Sequence, residues 1–200
     1  MLLDKQSFGQ SLLNGVWDGL IGGASGGLIG GIGGGIGAVK SGNDFWDGDI
    51  PLQERLDIIK QKNAGRMSET KVTDIKIGKN MPDANGQAIP GRKRVLLSDG
   101  YLGIEDNTIE LSKRTVRRIW RGKMTGIQTL DHEFVHTRDF SSGFYDRITK
   151  SYSSYPNGGS NYVNAVMEFR AYLSSYLNTG NSGYGREVLK QYNIFKSTFY

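Results

Sequence analysis

Two hundred residues with a formal charge of +5 suit one domain plus an appendage. No cysteine is present, which excludes disulfides and thiolate metal sites. The charge is uneven: residues 1–50 carry 2 basic and 5 acidic groups, 51–125 carry 16 and 9, and 126–200 carry 7 and 6. The basic excess therefore sits in the middle third, where short runs interspersed with acids read mainly as a solvated face.

The chain begins "MLLDKQSFGQSLLNG", which lacks the basic-then-apolar pattern of a signal peptide, so export is expected to depend on something else. Residues 15–42 are low in complexity, and the 21 residues between Asp18 and Lys40 carry no charge. Glycine recurs every fourth position at Gly19, Gly23, Gly27, Gly31 and Gly35, with a second row at Gly22, Gly26, Gly30 and Gly34. On a helix such rows make a groove for another backbone, although each glycine costs roughly 1 kcal/mol relative to alanine. A membrane-seeking glycine zipper over 19–39, a helical plug in a larger assembly and a linker all remain open. The isoleucines and leucines weigh against the linker.

Beyond "NDFWDGDIP" the composition becomes ordinary. Residues 51–62 predict a short helix with Pro51 in its first turn and Leu52, Leu56 and Ile59 on one side. Glycines and prolines predict a loop over 80–94, followed by strands in "RVLLSDGYLGI" and "EDNTIELS". "KRTVRRIWRG" opens a helix through Val116, Ile119 and Trp120.

The two histidines of the chain both lie in "LDHEFVHTRDF". Ile127, Leu130, Phe134 and Val135 recur at helical spacing, with Thr125 as the expected cap and Ser141, Ser142 and Gly143 as the stop. On that helix His132 and His136 are one turn plus about 40° apart, so both imidazoles point the same way. Glu133 is offset by about 100° from His132, near enough to reach what the histidines hold. Two imidazoles that grip Zn2+ beside a proton-accepting carboxylate form the pattern that metal-assisted hydrolysis requires. With cysteine absent and histidine exhausted, a third ligand must be Asp or Glu. Glu168 is the leading candidate, in a helix expected from Asn161, as its cap, to about Asn178, with Gly180 as its stop. Val163, Val166, Phe169, Leu173 and Leu177 would form the core stripe of that helix. A carboxylate amid those residues needs a metal or a cation such as Arg170. Asp139, on the same face as the histidines, is the rival ligand.

An HExxH helix followed, 32 residues after its second histidine, by "EFRAY" resembles a compact gluzincin-type zinc metallopeptidase over roughly residues 95–180. The resemblance implies zinc ligation by His132, His136 and Glu168, with Glu133 as general base. It also implies that Asn107, Thr108, Ile109, Glu110 and Leu111 form a cleft-edge strand that pairs with an extended peptide. Tyr145, Tyr152, Tyr155 or Tyr172 would stabilise the oxyanion, unless Tyr172 instead supports Glu168. The glycine/isoleucine block ending in "NDFWDG" resembles the C-terminal region of bacterial Rhs-type polymorphic toxins. That implies an effector with a larger carrier and a neutralising immunity protein.

The expected fold is α+β and zincin-like: a small antiparallel or mixed sheet on the HExxH helix and a second ligand-bearing helix. It spans 46–200, behind a glycine-zipper segment 1–45. The expected function is a Zn2+-dependent peptidase delivered as a toxin or effector, acting on protein or peptide, with peptidoglycan cross-links as a second substrate class. A membrane-perturbing toxin working through residues 19–39 and an effector directed at nucleic acid through the basic middle third are the alternatives. Nucleic acid is not the expected partner.

Overall fold

A short amphipathic helix, α1 (Leu52–Lys62), opens the fold in the computed structural model, which describes residues 51–79, 81, 85–153 and 159–197. Pro51 precedes α1 as its N-cap, with extended ψ, and Leu56 and Ile59 are buried as their spacing requires. The expected boundary near residue 45 and the glycine zipper lie outside the described residues. Among the described residues no helix is long and apolar enough to cross a membrane.

A six-residue helix, α2 (Ala64–Glu69), leads into β1 (Val72–Ile77). Next come β2 (Gly86–Ile89), the hairpin of β3 (Arg94–Leu96) and β4 (Leu102–Ile104), and β5 (Asn107–Leu111). Helices α3 (Lys113–Trp120), α4 (Met124–Ser141), α5 (Phe144–Tyr152), α6 (Gly159–Thr179) and α7 (Ser182–Ser197) complete the fold. The described residues are α+β: seven helices, a mixed three-stranded sheet and a separate hairpin.

The sheet runs β1-β5-β2, with β5 parallel to β1 and antiparallel to β2. This corrects two expectations. Residues 80–94 are not all loop, because Gly86–Ile89 pair with Thr108–Leu111. Asn107, Thr108, Ile109, Glu110 and Leu111 do not form an edge: β5 is hydrogen-bonded on both sides and has no free donors or acceptors for a substrate. The outer strands are β1 and β2, and Pro90 directly follows β2, where a missing N–H costs no ladder bond.

One face of the sheet packs on α1, α3 and α4. Ile75, Ile109 and Leu111 meet Leu56, Val116, Leu130 and Phe134 in one core cluster. A second cluster joins Ile104, Phe140 and Ile148 to Tyr162, Val163, Val166 and Met167. Helix α4 belongs to both clusters and forms the spine of the fold.

The ends of α4 and α6 refine the sequence reading. Helix α4 starts before Thr125, from Lys123, and Gly126 fits against the backbone of α3, where a Cβ would lie 2.7 Å from Ile119 N. Its stop is as expected: Ser142 is the C-cap and Gly143 is left-handed with φ 73°. Helix α6 begins at Gly159, so Asn161 lies inside it, and left-handed Gly180 follows its end. Its buried face carries Tyr162, Ala165, Met167 and Ala171 beside Val163 and Val166, whereas Leu177 is 53% exposed. Packing against both α4 and α7 rotates the buried stripe away from the simple aliphatic spacing.

Candidate metal centre

Helix α4 brings His132 and His136 to one side, as the four-residue spacing demands, and α6 crosses opposite them with Glu168. The two Nε2 atoms are 3.1 Å apart. Glu168 Oε2 lies 3.3 Å from His132 Nε2, and Glu168 Oε1 lies 3.3 Å from His136 Nε2. A tetrahedral ion with ligand bonds of roughly 2.0–2.1 Å holds neighbouring donor atoms about 3.3 Å apart. The imidazole pair and each of the two Glu168 oxygens stand close to that spacing, and one donor atom from each of His132, His136 and Glu168 lies within 4.8 Å of the others, so the cluster could hold a metal ion.

The donor chemistry fits as well. Two ring nitrogens and a carboxylate oxygen suit a borderline divalent cation and leave the fourth direction of a tetrahedron for water or substrate. Burial pushes the Glu168 carboxyl upward, but hydrogen bonds from His132 and His136 outweigh it and hold the group well below the usual carboxylate range. The site thus keeps a negative charge aimed at the imidazoles.

Asp139 is not a ligand. Its carboxylate is 1% exposed, and both its oxygens accept hydrogen bonds from Arg170, at 3.0 Å from Nε and 2.9 Å from Nη2. The cation beside Glu168 in sequence therefore serves Asp139, and Glu168 is left to the histidines.

Glu133 is buried, 5% exposed, beside the triangle. Burial pushes its carboxyl up to about 7, against the pull of His132; nearby Glu168 adds to the rise, and the Ala88 backbone N–H hydrogen-bonds it. Strand β2 supplies that N–H and packs closely on Glu133. A Cβ on Gly86 would stand 3.0 Å from Glu133 Oε1 and 3.0 Å from Thr129 Cγ2. A carboxyl so placed titrates near neutrality and can take and return a proton.

The triangle opens into a cleft of about 640 Å³. Asn85, Gly86, Gln87, Ala88 and Pro90 form one wall, from β2 and its flanks. Of the tyrosines expected near the site, Tyr145 and Tyr172 line this cleft. Tyr152 instead packs at a 43° tilt against Tyr162, ring centroids 3.8 Å apart, and Tyr155 lies outside the described residues. The Tyr172 ring sits 4.7 Å from that of His132. Burial and then the Glu168 carboxylate push its hydroxyl up to about 12, so it stays a hydrogen-bond donor. Tyr184, which sequence reasoning missed, also lines the cleft, and its hydroxyl donates to Gln128 Oε1 at 3.0 Å. No local spacing marks Tyr184. It arrives because α7 folds back along α6 after Gly180.

Compared with protein-family models, with curated proteins and with solved structures, the chain matches none.

Proposed function

We propose that this chain is a zinc-dependent hydrolase of amide bonds, a peptidase with a zincin-like arrangement of the gluzincin type. The observation that carries the reading is the His132–His136–Glu168 triangle at metal-ligand spacing with buried Glu133 beside it. When bound there, zinc would supply Lewis acidity to the scissile carbonyl and to the attacking water.

The side chains divide the remaining work. Glu133 takes a proton as the water oxygen bonds to the carbonyl carbon. It delivers that proton to the amide nitrogen as the C–N bond breaks, leaving a carboxylic acid and an amine, and the acid's proton then passes to the amine to give carboxylate and ammonium. Tyr172 keeps its proton and donates a hydrogen bond to the oxygen on which charge develops. The outer edge of β2, rather than β5, offers an extended peptide the backbone groups that remain beside the Ala88 N–H held by Glu133.

The glycine-rich residues 19–39 support the wider reading of an effector delivered by a carrier and restrained by an immunity partner. Elemental analysis together with hydrolysis of unfolded casein tests the core assignment. Wild type should carry close to one zinc and cleave casein, Glu133→Gln should keep the zinc and lose cleavage, and Glu168→Ala should lose both. A zinc-free wild type after supplementation would overturn the proposal.

A further inference from the structure

We propose that the outward face of α3 is a docking surface for acidic stretches of the polypeptide on which the metal centre acts. The proposal rests on the hydrolase reading above. Lys113, Arg114, Arg117 and Arg118 fall within about 140° of helix circumference at 100° per residue, and Lys123 follows just past the helix end. Between Glu110 and Asp131 the chain has no acid at all. None of these five cations has a carboxylate within 4.0 Å among the described residues.

The stripe opposes the stability of its own helix. Lys113 stands one turn from Arg117, and Arg114 one turn from Arg118, so like charges repel along the face. Lys113 and Arg114 occupy the first turn, which has no acidic residue, where the helix dipole disfavours cations. Among the described residues no carboxylate within 4.0 Å offsets that repulsion, whereas an anionic partner would. The helix is also a firm base. Val116 and Thr115 are fully buried, Ser112 caps the N-terminus by accepting from Thr115 N–H, and Gly126 packs against the Arg118 backbone.

Position gives the stripe its connection to catalysis. The Asn85 carbonyl accepts from both Ser112 N–H at 3.0 Å and Thr115 Oγ1 at 2.6 Å. Asn85 heads β2 and lines the cleft, so the start of α3 is tied, from the β5 side, to the end of the strand that borders the cleft. A polypeptide paired along β2 that leaves the cleft at Asn85 meets Lys113 and Arg114. The surface chemistry favours a polypeptide over other polyanions. The aromatic of α3, Trp120, is half-buried with the Arg55 guanidinium 5.6 Å from its ring, so the stripe has no free stacking platform for bases. Val116 and Ile119 turn inward, so the helix has no apolar anchor for a lipid surface.

The test uses the full chain with Glu133→Gln and a fluorescein-labelled peptide carrying a run of glutamates, against the same peptide with glutamines. Anisotropy should show the glutamate peptide binding at least tenfold tighter, with affinity falling as salt rises. The triple change Lys113→Glu, Arg114→Glu and Arg117→Glu should abolish that preference. Two of these changes place acids in the first helical turn, so the melting temperature should not fall and loss of fold is not a confounder. Equal binding of the two peptides, or binding untouched by the triple change, overturns the proposal. So does tighter stripe-dependent binding of duplex DNA or of phosphatidylserine vesicles. If the preference persists in protein that takes up no zinc, the hydrolase reading fails and the docking surface stands.

Discussion

Arg170 on α6 grips Asp139 on α4 with two parallel hydrogen bonds, Nε to Oδ2 at 3.0 Å and Nη2 to Oδ1 at 2.9 Å. These are the two helices that carry the candidate metal ligands, and Arg170 comes two residues after Glu168. Phe144 backs the guanidinium, with Cζ 4.1 Å from the ring centroid. The pair therefore fixes how α6 lies against α4, and with it the reach of Glu168 to the imidazoles. Removing Arg170 strands a carboxylate that is 1% exposed, whereas removing Asp139 leaves a cation with partial access to water. Arg170→Ala should cost about 3 kcal/mol, at the low end for a broken buried pair, and Asp139→Ala clearly less. Both should weaken metal binding by roughly 10- to 100-fold, as loss of ligand support does. Denaturant unfolding and a competitive zinc titration read the two effects separately.

Metal removal should loosen the same junction. An ion that binds only the folded chain at about 1,000 times its dissociation constant adds about 4 kcal/mol of stability. For a domain of this size that corresponds to a melting shift on the order of 10 °C. Chelation should lower the melting temperature by about that amount in wild type and in Glu133→Gln. Glu168→Ala should already melt near the chelated value and respond little to chelator, as differential scanning calorimetry would show.

Gly86 should be intolerant of a side chain although its backbone is not left-handed. The new methyl of Gly86→Ala meets Glu133 Oε1 and Thr129 Cγ2, each at 3.0 Å, so the carboxylate must shift by a few tenths of an ångström or more. Displacing the proposed general base by about 1 Å would cost on the order of 100-fold in turnover, so this smaller shift should cost on the order of 10-fold. Zinc content should remain at the wild-type level, because no ligand atom lies in the path of the methyl. A variant with full turnover would mean that β2 yields instead of Glu133.

The metal triangle was legible in the chain because half of it is local. His132, Glu133 and His136 need only a helix to converge, and the missing cysteines and further histidines pointed to an acidic third ligand. The choice of Glu168 over Asp139 was within reach, but the partner that decides it was not. Whether Arg170 faces Asp139 or Glu168 depends on the rotation of α6, which packing on α4 and α7 sets. Strand β2 was hidden for a related reason: "GQAI" is too short to display an alternation, and its strand character comes from pairing with β5. The place of β5 at the centre of the sheet follows from a parallel partner, Val72–Ile77, far back in the chain. Local pattern found the strands of the hairpin and β5, and it could not rank them as edge or centre.

Glu133 makes a sign-definite prediction for the metal-free protein. Its folded value of about 7 lies above its ordinary 4.5, with burial the leading cause. A group raised on folding binds its proton more tightly in the native state. Its contribution is therefore fully present below about pH 4.5 and is lost as the pH rises through 7. The loss is on the order of 3 kcal/mol for a shift of this size. Glu133→Gln carries no proton to lose, so the chelated variant should keep stability between pH 5 and pH 8 that the chelated wild type gives up. Urea unfolding of both proteins across that range measures the difference directly. Parallel stability curves would show that Glu133 ionises in the folded chain without penalty, and its burial would then not tune it as a base.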